Sequence, residues 1–162
     1  MKKTLTSLIV TGLLAGCTPA GVKNIPQEDF DKNFVFTQSY DEVWGSTVEW
    51  FAMNNIPINS MEKDSGLISS NHGLSPGSSV INCGEPTGNV GLYQARFESA
   101  DSNINVLVRE IGPEQTRATV NIFGNAGIVV RNGYGNIVSS NEVRCVSTGK
   151  LENSYENFIL SN

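Results

Sequence analysis

Apolar and polar positions alternate with two different periods along this chain, and the changes of period mark its elements. Phe34 and Phe36 share one face of NFVFT, residues 33–37, as in a short strand. From Ser39 the period lengthens: Tyr40, Trp44, Val48 and Phe51 recur at helical spacing, and Val43, Trp50 and Ala52 widen the stripe. Ser39 and Glu42 match a capping box, so the helix is predicted to begin there. Asn54 and Asn55 suit its end, and Pro57 prevents continuation.

Shorter periods follow. Ile56–Met61 and Leu67–Ser70 flank the polar stretch Glu62–Gly66, which predicts a hairpin whose first strand Pro57 either places at an edge or delays. Residues 71–89 are rich in Gly, Ser, Pro and Asn and read as a long loop with a short piece around Val80 and Ile81. Three alternating stretches come next, carried by Tyr93, Ala95 and Phe97, by Ile104, Val106 and Val108, and by Ala118, Val120 and Ile122. With a turn at Gly112–Gln115 they predict an antiparallel meander. Ile128–Val130 and Ile137–Val138 flank the turn dipeptide Asn132-Gly133, a last hairpin. Leu151, Tyr155, Phe158 and Ile159 then mark a closing helix, with Ser147 and Thr148 as hydroxyl N-caps. One sheet face needs a cover and two amphipathic helices can supply it. The expected fold class is α+β, one domain over 33–162, with a curved antiparallel sheet covered on one face by two helices.

The first residues have a different character. Lys2 and Lys3 precede an apolar run from Leu5 to Leu14, and small residues close it, the layout of a secretory signal peptide over 1–16. A membrane-spanning helix needs about twenty predominantly apolar residues, more than this run offers. Leu14-Ala15-Gly16-Cys17 resembles the lipobox of bacterial lipoproteins. The resemblance implies cleavage before Cys17, diacylglycerol on its thiol and a fatty acyl chain such as palmitate on the new amine. More than one acyl chain gives stable membrane attachment. Thr18, where aspartate tends to retain such proteins in the inner membrane, implies the outer membrane with a periplasmic orientation. Residues 17–32 carry two prolines and scattered apolar groups and read as a lipidated tether.

Charge and cysteine content narrow the partners. Removing Lys2 and Lys3 leaves nine basic residues against 16 acidic ones, a formal charge of −7. That balance argues against nucleic acid as a partner, which would want a basic stripe. With Cys17 lipidated, Cys83 and Cys145 remain as a pair in an oxidising compartment, and a disulfide is expected. No metal site is expected, because a lone His72 and the absence of CxxC spacing leave too few soft ligands.

Candidate chemistry is thin. Ser147-Thr148-Gly149-Lys150 fits the S-x-x-K of serine acyl-transferring enzymes, but Ser60-Met61-Glu62-Lys63 fits it too, and neither has the S-D-N or K-T-G companions. His72 sits in a Gly/Ser/Pro-rich stretch without a sequence neighbour to orient it. Gly124, Gly127, Gly133 and Gly135 match no phosphate-binding spacing. Glu98, Asp101 and Glu110 are the residues from which a carboxylate pair could be built. Trp44, Phe51, Tyr93 and Phe97 could line an apolar cavity instead of filling a core. The expectation is no enzyme and no cofactor.

Ser39–Trp44, followed by Ile56–Ile58 and by Lys63-Asp64-Ser65-Gly66-Leu67-Ile68, resembles the opening of a helix-grip domain. Similar stretches occur in small outer-membrane lipoproteins, including the C-terminal modules of BamC, an accessory part of the machine that inserts β-barrels. The resemblance covers about thirty residues. It implies a lipid-anchored, non-enzymatic interaction or accessory module whose partner is another envelope protein, the alternative being a binding module for an apolar small molecule or lipid.

Overall fold

The computed structural model describes residues 20–27, 29–74 and 78–162. The signal peptide expected over 1–16 and the lipidation expected at Cys17 fall outside the described residues. In chain order the elements are β1 (Gly21–Lys23), β2 (Asn33–Phe36), α1 (Tyr40–Met53), β3 (Ser60–Glu62), β4 (Leu67–Leu74), β5 (Ile81–Asn82), β6 (Glu85–Thr87), β7 (Gln94–Gly112), β8 (Gln115–Arg131), β9 (Ile137–Ser147) and α2 (Lys150–Ser161). The fold is α+β, with an open antiparallel sheet and two helices. The sheet runs β3-β4-β7-β8-β9-β5, with β2 pairing β8 off that path, and β1 and β6 form a separate two-stranded sheet.

Local chemistry sets where α1 begins. The Ser39 amide donates to Glu42 Oε2 at 2.9 Å, and the Glu42 amide donates to Ser39 Oγ at 3.4 Å. Such a cap stabilises a helix by about 1 kcal/mol. Its buried face is Val43, Trp44, Thr47, Trp50 and Phe51. Val48 is only half-buried and Ala52 is exposed, so the stripe is rotated from the predicted one. Pro57 has both predicted effects, because β3 starts late, at Ser60, and lies at the sheet edge.

The main core lies between the helices and the sheet. Trp50 meets Phe51 and Tyr155 edge-on at centroid distances of 5.2 and 5.4 Å, a favoured aromatic geometry. Ile104, Val106 and Val108 of β7 and Ala118, Val120 and Ile122 of β8 belong to the same buried cluster, with Phe34, Phe36 and Ile159. The turn after β3 needs Gly66, whose φ is +71° and where a Cβ would collide with the Val108 carbonyl.

Four expectations are corrected. The stretches around 93–97 and 104–108 are one 19-residue strand, and those around 118–122 and 128–130 are one 17-residue strand. A bulge between Phe97 and Ser99 shifts the inward phase from odd to even residues, so one strand imitates two. The stretch 71–89 is less of a loop than expected, since β4 continues to Leu74 and β5 and β6 follow. Ser147 and Thr148 do not cap α2. Gly149 does, at φ +81°, with the Phe30 ring standing 2.9 Å from where its Cβ would be. Ser147 Oγ donates instead to Glu152 Oε2 at 2.8 Å, and Thr148 Oγ1 donates to the Ser79 carbonyl at 2.7 Å.

The fourth correction concerns the tether over 17–32, whose described part is packed on the domain. Gly21–Lys23 pair with Glu85–Thr87, and Ala20 is buried against Ile128 and Val130. The Lys32 carbonyl accepts from the Val120 amide at 2.8 Å. The scattered apolar residues Ala20, Val22 and Phe30 are its points of contact.

Candidate functional site

Two features of the fold could meet another molecule. The first lies at a waist in the sheet, where the inward residues of β7 and β8 become small: Ala100, Ser102, Gly124 and Ala126. Ile81 occupies the space so left, since a Cβ on Gly124 would stand 2.6 Å from its Cδ1. Cys83 and Cys145 are joined in a disulfide with Cα atoms 4.1 Å apart, which holds the β5–β6 segment on β9. Beside it is a cavity of about 380 Å³ whose lining includes Ile81, Cys83, Phe97, Ala100 and Ala126, with Lys150 also present. Its wall is largely apolar and it carries one cation.

The second feature is the sheet face opposite the helices. Register places Asn71 beside Asn103, Asn105 beside Asn121, and Asp101 beside Asn125, all out of phase with the buried residues. Asn71 Nδ2 donates to Asn103 Oδ1 at 3.2 Å. On β2, Asn33 Oδ1 accepts from Thr119 Oγ1 at 2.7 Å. The result is a rank of mainly neutral amide and hydroxyl groups across four strands, with Asp101 on β7 and Arg144 on β9 on either side of Asn125. The alternating polar positions of β7 and β8 were visible in the sequence as a wet face. Asn71 was not, because its strand was read as ending at Ser70.

The residues singled out from sequence are scattered. Trp44 and Phe51 are buried in the main core, Tyr93 is 48% exposed, and of the four proposed cavity residues only Phe97 lines the waist cavity. Ser147 is committed to Glu152, and Lys63 Nζ lies 2.8 Å from Asp41 Oδ1, so neither S-x-x-K copy forms a serine–lysine pair. The His72 carbonyl accepts from Ser102 Oγ at 3.4 Å. Asp101 and Glu110 stand nine residues apart on one strand, about 30 Å at the usual rise. Glu98 is gripped by arginines: Arg131 Nε and Nη2 reach its two oxygens at 2.9 and 3.0 Å, and Arg96 Nη2 reaches Oε1 at 2.9 Å. They hold its carboxyl down to about 2, well below the usual carboxylate range.

Among the described residues no three His, Cys, Asp or Glu side chains form a group that could hold a metal ion. No described helix is long and apolar enough to cross a membrane. No protein-family model matches the chain, and no curated protein matches it.

Proposed function

We propose that this protein is a lipid-anchored, non-enzymatic interaction module of the bacterial outer membrane, facing the periplasm, with a helix-grip-like domain. The open asparagine face carries the interaction reading. The neutral amides that make up most of it can exchange water for a partner's backbone or side-chain groups without the desolvation cost that charges carry. The lipobox-like Leu14–Cys17 supports the anchor, and the amphipathic α1 and α2 gripping one sheet face support the helix-grip likeness.

Photocrosslinking groups at Asn103 and Asn121, compared with one at Met53 on α1, test the interaction. A specific envelope protein should be captured from the sheet face and not from the helix. Recovery of only abundant bystanders from both faces would count against it. A Cys17→Ser variant tests the anchor: it should remain unprocessed and lack acyl chains, and fractionation identical to the parent would remove that part.

A second reading rests on the waist cavity. Its apolar wall and Lys150 suit a small amphiphile with an anionic head, a lipid fragment among the options. Native mass spectrometry of the protein should then show a bound mass that Phe97→Trp displaces. Spectra free of adducts would remove this reading and leave the first intact.

A further inference from the structure

Two stretches of chain at one end of the sheet carry no charge of their own, and the nearest charges are the Arg96–Glu98–Arg131 cluster, whose Arg131 Nη1 donates to the Gly135 carbonyl at 2.8 Å. Residues 86–95 and 132–141 contain no Asp, Glu, Lys or Arg, in a chain where 17% of residues are charged. The first stretch forms the link from β6 into β7, and the second spans the β8–β9 turn and the start of β9. They meet in space, since a Cβ on Gly133 would lie 3.3 Å from that of Leu92. Together they expose Val90, Leu92 at 78%, Tyr93, Tyr134 at 92%, Ile137 and Val138. Exposed apolar groups gathered on two uncharged loops mark a contact surface.

The chain's own N-terminal segment leads there. β1 runs antiparallel to β6, with Lys23 opposite Glu85 and Gly21 opposite Thr87. Tracing back from Lys23 to Gly21 therefore follows β6 toward the tip loop. Ala20 is fixed on that course: its amide donates to Ser139 Oγ and its carbonyl accepts from Asn141 Nδ2, each at 3.3 Å. Cys17 is three residues earlier, so its Cα lies within about 11 Å of that of Ala20.

We propose that this tip is a membrane-contact surface, seated in the headgroup region of the bilayer that holds the acyl chains of Cys17. The proposal rests on the lipid anchoring put forward above and adds an orientation to it. Tyrosine at an exposed turn suits the membrane–water interface, where its ring is apolar and its hydroxyl wet. Loops without charges, bordered by Arg96 and Arg131 sharing the single carboxylate of Glu98, spare an acidic protein the repulsion of anionic headgroups at this end. The acyl chains supply affinity, and the tip sets the angle at which the domain stands.

The lipidated protein, with its Cys17 modification checked by mass spectrometry, can be reconstituted into phosphatidylethanolamine–phosphatidylglycerol vesicles carrying acyl-brominated lipid. Tyr134→Trp reports on the tip. Leu160→Trp reports on the opposite end, being exposed on α2 next to Ile159, whose carbonyl lies by Gln38 and hence by Thr116 at the start of β8. Trp44 and Trp50 are buried and give a constant background. The expected result is a blue shift and at least threefold stronger quenching at Tyr134→Trp than at Leu160→Trp. Equal or absent quenching with the acyl chains in place overturns the tip proposal alone. So does a tip signal that follows protein density instead of bromolipid content, the mark of a second copy on the patch. An unmodified Cys17 overturns the anchoring reading itself, and the tip proposal with it.

Discussion

The same two strands pass under two different covers. Where β7 and β8 run through residues 104–108 and 116–122, α1 and α2 lie over them and an aromatic core fills the gap. Where they run through 94–97 and 128–131, the cover is the short β1–β6 sheet, and the buried cluster shrinks to Ala20, Ile128 and Val130 with partly buried neighbours. One half holds the fold together. The other is a lightly covered arm whose residues are spent on being at a particular place. Substitution should therefore cost much more in the first half than in the second. Trp50→Ala should lose about 3–5 kcal/mol, because a fully buried indole leaves a cavity. Val130→Ala should lose about 1.5 kcal/mol, from two buried carbon groups. Denaturant midpoints measure both, and equal losses would break the comparison.

The disulfide sits where the halves meet. Cys83 and Cys145 are 62 residues apart, and closing a loop of that length stabilises by about 4 kcal/mol in the chain-entropy account. A Cys83→Ala, Cys145→Ala variant should lose that order of stability. Amide exchange should first rise in β5 and β6, which the bridge pins, before it rises in α1. Uniform loosening of both regions would show that the two covers unfold as one.

The contrast also explains what could be read from the sequence. Helices announce themselves by a 3.6-residue period and caps, so α1, α2 and the strands facing them were legible, as was the pairing of Cys83 with Cys145. The join between the halves was not. The inward residues there are Ala100, Ser102, Gly124 and Ala126, which carry little hydrophobic signal, and the bulge after Phe97 breaks the alternation of β7. Both long strands consequently read as halves. The packed segment after Ala20 read as a tether because its few apolar residues have no period, and only the partner surface reveals their use. The asparagine face was half legible, since alternation gives the wet side of a strand but not the register that aligns Asn71 with Asn103.

A smaller effect tests the helix-covered half by pH. Thr47 Oγ1 and Tyr155 Oη lie 2.8 Å apart in the core, and burial pushes the Tyr155 phenol up. The folded state thus holds this proton more tightly than the unfolded chain does. Its contribution is complete below about pH 10, the ordinary phenol value, and is lost as pH rises beyond it. Tyr155→Phe should lose about 1 kcal/mol at neutral pH, a typical hydrogen-bond contribution. It should also show a shallower decline in stability above pH 10 than the parent, and parallel declines would contradict this.

The smallest effect belongs to the arm, and it has the opposite sign. Glu98 is exposed, and its carboxyl is held down to about 2 by Arg131 and Arg96, whereas the unfolded chain would titrate near 4.5. Its contribution is therefore complete above pH 4.5 and fades as pH falls toward 2. Because solvent screens the cluster, global stability should barely respond. The response should be local, as faster amide exchange over residues 94–98 and 128–131 as pH falls below 4.5, after correction for the intrinsic rate. Glu98→Gln should remove that pH dependence while leaving exchange in α1 unchanged. A Glu98 carboxyl that titrates at 4.5 by NMR would mean that the arginines do not grip it. The arm would then keep its shape through Ala20, Ile128 and Val130 alone, and the tip would be less firmly aimed than its geometry suggests.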